Sequence, residues 1–122
     1  MGNISRRGVL LECHNRYTTL TQKEKDEICN GCGPAGWKGE LVPETMWGLK
    51  VTEICNIHDF DYHIGQTMDD KKIADNRFLK NLCKYVKKLS PWYLVAQRLA
   101  RCYLYYVVVK KAGNEYFKAN KL

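Results

Sequence analysis

The stretch Cys55-Asn56-Ile57-His58-Asp59-Phe60-Asp61-Tyr62 sets an imidazole beside a carboxylate. Wound as a helix, it brings Val51, Ile54, Cys55, His58 and Tyr62 to one face at the i, i+3/i+4, i+7 spacing. Asp59 then projects about 100° further round, so two functional groups diverge from one rigid support. That suits a proton-accepting base and a separate ligand. With an unperturbed pKa of about 6.5, a histidine is the side chain best poised for general-base work near neutrality. The plain alternative is a half-buried histidine satisfied by a backbone carbonyl. Two further stretches bear on the choice. Gly31, Gly33, Gly36 and Gly39 with Pro34 exclude regular structure, and such a loop is either a connector or a place where backbone carbonyls are aimed at something. Asp75 sits on the apolar stripe of a later helix, where a carboxylate either complements the macrodipole or faces the helix before it.

The elements that must position these groups follow from periodicity and caps. Residues 1–18 read as irregular, with one apolar patch at Val9, Leu10 and Leu11. Thr21 with Glu24 makes a capping box for a short helix over 21–30. After the Gly-rich stretch to Gly48, helical periodicity resumes near Leu49 and closes at Gly65 as a C′ glycine. Asp69 or Asp70 caps a second long helix reaching about Leu89, with Phe78, Leu79, Leu82, Val86 and Leu89 as its stripe. The short joint at 65–69 forces an antiparallel pair. Ser90-Pro91 reads as an N-cap and N1 that start a third helix to about Ala112. Tyr103–Val109 is aromatic and β-branched enough for a strand, but helix is preferred. The expected fold is all-α: an antiparallel helix pair carrying the site, a Gly-rich loop and a long C-terminal helix.

A chain of 122 residues with 45% hydrophobic and 27% charged composition forms one domain, residues 1–122, with its own core. Twenty basic and 13 acidic residues give a net charge of +7, compatible with phosphate-bearing partners or simply with a basic, soluble domain. Met1–Gly8 lacks the apolar core of a secretory signal, so export by that route is not expected and localisation stays open. Arg6 stands where an N-myristoylation motif has Ser or Thr. Gln97, Arg98 and Arg101 interrupt the most apolar run, so no membrane span is expected. Six cysteines suit a disulfide scaffold without fixing the redox state.

Three segments together resemble the calcium-dependent phospholipase A2 family. Cys32-Gly33-Pro34-Ala35-Gly36 is similar to its Cys-Gly-x-Gly calcium loop, and Cys55–Tyr62 resembles its Cys-x-x-His-Asp-x-x-Tyr helix. Ala74-Asp75-Asn76-Arg77-Phe78 looks like the Ala-Asp-x-x-Phe segment of the viral-capsid branch. The likeness covers roughly residues 31–78. It implies a Ca²⁺ held by the carbonyls of Gly31, Gly33 and Ala35 (or Gly36) with the Asp59 carboxylate, consistent with a hard cation that takes six to eight oxygens. His58 would be the base that activates water, Asp75 would fix its tautomer, and Tyr62 would hydrogen-bond that carboxylate. The reaction implied is hydrolysis of the sn-2 ester of a glycerophospholipid, with the ion stabilising the oxyanion. The implied partner is an anionic phospholipid membrane or micelle, not a nucleic acid. Cys32 and Cys55 resemble the disulfide that ties loop to helix, while Cys13, Cys29, Cys83 and Cys102 have no assigned partners. Trp37, Trp47 and Trp92 read first as core residues and second as part of an interfacial surface.

Gly33 lies 25 residues before His58, and Asp75 lies 17 after it. The first spacing is longer than in secreted animal members of the family, and the second leaves no room for their β-hairpin. Both lean toward the compact bacterial, fungal or viral types. A rival reading takes Cys29, Cys32, Cys55 and His58 as a Cys₃His zinc set in a basic nucleic-acid-binding module. It gives Asp59, Tyr62 and Asp75 no work. A third reading, a catalytically silent phospholipase-like membrane binder, would be marked by loss of the base, the acid or the loop.

Overall fold

Val9, Leu11 and Cys13 alternate with Leu10 and Glu12, the period of a strand with one buried face. In a computed structural model that describes residues 2–29, 45, 46 and 48–121, they form β2 (Val9–Cys13), antiparallel to β1 (Gly2–Arg6) with Arg6 opposite Val9. The two-residue turn between them is Arg7-Gly8, both at positive φ (51° and 79°). That geometry matches the twist of a tight hairpin and suits glycine. Asn81, fully buried on a later helix, continues the ladder: its Oδ1 accepts from Glu12 N and its Nδ2 donates to Glu12 O, each at 2.9 Å.

This hairpin corrects the all-α expectation. Residues 1–18 are not irregular but carry a two-stranded antiparallel sheet, and a second short pair joins β3 (Thr45–Met46) to β4 (Leu49–Lys50) across Gly48. The apolar patch at residues 9–11 was too short to show its period until Cys13 is counted with it. The Gly-rich stretch expected to form a calcium loop lies outside the described residues apart from Thr45, Met46 and Gly48. Gly31, Gly33, Ala35, Gly36, Cys32, Trp37 and Trp47 lie outside the described residues.

A 3₁₀ turn (Asn15–Thr19) leads into α1 (Gln22–Ile28), which carries the Thr21–Glu24 capping box in both directions. Helix α2 spans Thr52–Ile64, starting three residues later than the periodicity suggests because Leu49 and Lys50 pair with β3. It ends at Gly65, but with φ −67°. Space there is tight: an added Cβ would lie 3.0 Å from Asp61 O and 3.2 Å from Phe117 Cζ, so those neighbours would have to give by a few tenths of an ångström. Helix α3 (Met68–Leu89) is capped by Thr67 rather than by Asp69 or Asp70, and Asp70 is the N3 partner of that box. Helix α4 (Val95–Asn120) does not begin at Ser90-Pro91. The Ser90 amide closes the last turn of α3 on Val86 O, and its hydroxyl accepts from Arg98 Nη1 at 2.9 Å, leaving no cap for a helix starting there. α4 stays helical through Tyr103–Val109, burying Cys102, Tyr105 and Val109 at helical spacing, and runs past Ala112 to seat Phe117 in the interior.

Helix α3 lies antiparallel to α2 on one side and to α4 on the other. The main core gathers Leu11, Tyr17, Ile54, Ile57, Phe60, Phe78, Leu82, Val86 and Val109 from the hairpin and all three long helices. Tyr62, Ala74 and Phe117 make a second, smaller cluster where α2, α3 and α4 meet. The candidate site sits against that second cluster.

Candidate functional site

Helix α2 presents His58 and Tyr62 one turn apart, and antiparallel α3 brings Asp75 between them. The His58 Nε2 to Asp75 Oδ1 distance is 2.9 Å, and the Tyr62 hydroxyl donates to the same oxygen at 2.6 Å. His58 and Tyr62 are 1% exposed and Asp75 is 2% exposed, so the cluster is shielded from bulk solvent. The His58 ring is held between Tyr62 and Phe78, with centroids 4.3 and 4.7 Å away. Tyr62 is fixed in turn by Phe117 edge-on at 5.0 Å and by Tyr116 stacked at 5.8 Å.

One member of the cluster escaped the sequence reading. Lys71, 3% exposed, donates from Nζ to Asp75 Oδ2 at 2.6 Å. Its signal was present, since position 71 is one helical turn before Asp75 and shares its face. A lysine on a helix is usually read as solvated, and that habit hid it. Gly113 also went unread. A Cβ built there would run into the Tyr62 hydroxyl and lie 2.9 Å from Lys71 Cε, so only glycine lets α4 close over the cluster.

The electrostatics fix the protonation pattern. Burial alone would push the Asp75 carboxyl up, but the hydrogen bond and charge of His58, with bonds from Lys71 and Tyr62, hold it below its ordinary value. Asp75 is thus an acceptor-only carboxylate at neutral pH. When the ring is neutral, Nε2 carries the proton donated to Asp75 and Nδ1 is the basic nitrogen. The Tyr62 phenol is held well above its usual pKa by burial, then by the Asp75 charge and the bond to it, so it remains a donor.

Asp59 lies next to His58 on α2, buried at 8% exposure, and supplies the one described carboxylate of the expected calcium set. Among the described residues, no group of three or more His, Cys, Asp or Glu side chains could hold a metal ion. A site made largely of backbone carbonyls would rest on Gly31, Gly33 and Ala35, which are outside those residues. Cys55 is disulfide-bonded, and its expected partner Cys32 is likewise outside them. Cys29 Sγ donates to Asn56 O at 3.3 Å. With Cys55 in a disulfide, its sulfur is not a thiolate ligand, so the Cys₃His reading loses one of its four positions.

Two cavities flank the cluster. One of about 290 Å³ reaches Lys71 and Asp75 from the α4 side, beside Lys72, Tyr106, Lys110 and Asn114. Another of about 340 Å³ lies by His14, Gly65 and Asp70, where Arg77 Nη1 pairs with Asp61 Oδ1 at 2.8 Å. At the surface, Trp92 is 89% exposed, which rules out a core role for that tryptophan. Tyr93, Tyr103, Leu104 and Val107 are exposed as well. Among the described residues, no helix is long and apolar enough to cross a membrane. No family model matches the chain, and no curated protein or solved structure matches it either.

Proposed function

We propose that this chain is a phospholipase A2-like hydrolase that cleaves the sn-2 ester of glycerophospholipids with Ca²⁺, releasing a fatty acid and a lysophospholipid. The observation that carries the proposal is the buried His58–Asp75–Tyr62 cluster with Asp59 diverging from the same helix. His58 Nδ1 takes the proton of a water as that water attacks the ester carbonyl. Asp75, already a carboxylate, stabilises the imidazolium that forms and keeps the ring in the tautomer whose basic nitrogen is Nδ1. Tyr62 and Lys71 hold the Asp75 carboxylate in place. Asp59 and the carbonyls of Gly31, Gly33 and Ala35 would hold the cation, which when bound polarises the ester carbonyl. The returning proton passes from His58 to the leaving alkoxide, so no covalent enzyme intermediate is needed.

The exposed Trp92 and Tyr93, with a net charge of +7, support an anionic phospholipid surface as the partner. The test is fatty-acid release from mixed phospholipid micelles near pH 8, with calcium and then with excess chelator. Release that stops on chelation and returns with calcium but not zinc supports the reading. Absence of release under every condition removes the catalytic claim and leaves the silent, membrane-binding alternative.

A further inference from the structure

The geometry points to a redox site at the α3–α4 seam, where Cys83 and Cys102 close a disulfide between the two helices under oxidising conditions. Three contacts set the antiparallel register of that seam. Ser90 meets Arg98, Asn76 meets Tyr106 at 3.3 Å, and Gly113 packs on Lys71. In that register position 83 falls opposite position 102, and the two thiols hydrogen-bond one another. Both Cys83 and Cys102 are reduced here, as are Cys13 and Cys29. The other two are placed differently: Cys29 is bonded to the Asn56 carbonyl, and Cys13 is buried on β2. The seam therefore brings together one pair of thiols, and Cys55 shows that the chain already carries a disulfide.

Access sets the order of events. Cys83 is half-buried and Cys102 is fully buried, so an oxidant reaches Cys83 first. With glutathione disulfide as oxidant, the Cys83 thiolate attacks one sulfur and expels one glutathione thiol, leaving a mixed disulfide. The Cys102 thiolate then attacks the Cys83 sulfur and expels the second glutathione thiol. The protein pair is oxidised by two electrons and glutathione disulfide is reduced by two, while the two protein thiol protons end on the two glutathione thiols. Burial, with the neighbouring Cys83, pushes the Cys102 thiol up to about 12, so the second step is slow at neutral pH and quickens as pH rises. The bond pins the part of α4 that leads into Gly113 and Phe117, and it closes a short loop in the unfolded chain.

The experiment uses the full chain in a buffer of oxidised and reduced glutathione at pH 8, read by intact mass, by peptide mapping after alkylation, and by thermal melting. The expected result is loss of two hydrogens, a crosslinked Cys83–Cys102 peptide, and a rise in Tm on the order of 10 °C that dithiothreitol reverses. In Cys102→Ser a glutathione adduct should accumulate on Cys83, with no such rise. Should that variant not fold, Cys83→Ser should leave Cys102 unmodified and the melt unmoved by oxidant. A lasting glutathione adduct on Cys83 of the unaltered chain would overturn the proposal. So would recovery of both thiols fully alkylated, or pairing of Cys83 with Cys13 or Cys29. None of these readouts depends on hydrolytic activity.

Discussion

The two halves of α3 solve opposite problems on one continuous helix. From Phe78 onward it buries Leu82 and Val86 completely, and Asn81, its one fully buried polar side chain there, has both ends bonded to the β2 backbone. From Met68 to Arg77 it buries Lys71 and Asp75 and pairs Arg77 with a buried Asp61. The apolar half gains from removal of hydrocarbon from water, roughly 25 cal/mol per Å². The polar half must desolvate an ammonium and a carboxylate against the buried imidazole of α2, and a buried ion pair often does no better than well-packed apolar side chains of the same volume. A fold selected for stability alone would extend the second pattern through the first half. The charges persist at the end that meets His58, which is the pattern the proposed catalytic role calls for.

If that contrast is right, substitutions in the two halves should fail in different ways. The largest expected effect is on turnover in the polar half: His58→Gln should lower phospholipid hydrolysis by about 10²–10⁴-fold while circular dichroism and melting stay close to those of the parent. Unaltered turnover in that variant would remove His58 as the base. Lys71→Met leaves the buried Asp75 carboxylate without its ammonium partner, holding only the His58 and Tyr62 bonds, at a cost of about 3–5 kcal/mol in urea unfolding. The pH dependence gives a second handle on the same variant. The folded Asp75 titrates below its unfolded value, so its contribution is present above the unfolded pKa of about 3.9 and is lost as pH falls through the lower folded value. Removing one of the bonds that lower it should move the acid-unfolding midpoint to higher pH. An unmoved midpoint would separate Lys71 from the Asp75 charge. In the apolar half, Leu82→Ala should cost about 2–5 kcal/mol, with turnover per folded molecule close to that of the parent.

The same division explains what could be read from the sequence. The His58–Asp75–Tyr62 juxtaposition was legible because helix period and a short joint are enough to place three side chains on facing stripes. Lys71 was one turn from Asp75 and legible in principle, yet a charged residue is assigned to solvent unless a partner is already in view. Gly113 was not legible at all: its need for no side chain arises from α4 crossing α2 and α3, a contact no local pattern encodes. The hairpin was missed because Arg7 takes a left-handed turn conformation that glycine, asparagine or aspartate usually announces. The start of α4 was misplaced because Ser90, a good cap in isolation, is taken by Arg98. Tertiary competition overrode the local rule there.

The smallest expected effect lies on the outside of α4, where neither half of α3 reaches. Trp92 is almost wholly exposed, touches Tyr93 edge-on at 5.8 Å, and stands at the start of a helix whose outer face shows Tyr103, Leu104 and Val107 before turning basic at Lys110 and Lys111. A residue with so little packing should not matter to the fold, so Trp92→Ser should change unfolding free energy by no more than about 0.5 kcal/mol. If the ring enters the interface of an anionic bilayer, burying it there is worth about 1.5–3 kcal/mol, and the variant should partition roughly 10- to 150-fold less onto vesicles containing phosphatidylserine. Turnover on a dispersed short-chain phospholipid should stay at the parent level, because the His58 cluster is untouched. Equal partitioning of variant and parent would take Trp92 out of the membrane contact, and loss of dispersed-substrate turnover would mean that this face and the buried cluster are coupled rather than separate.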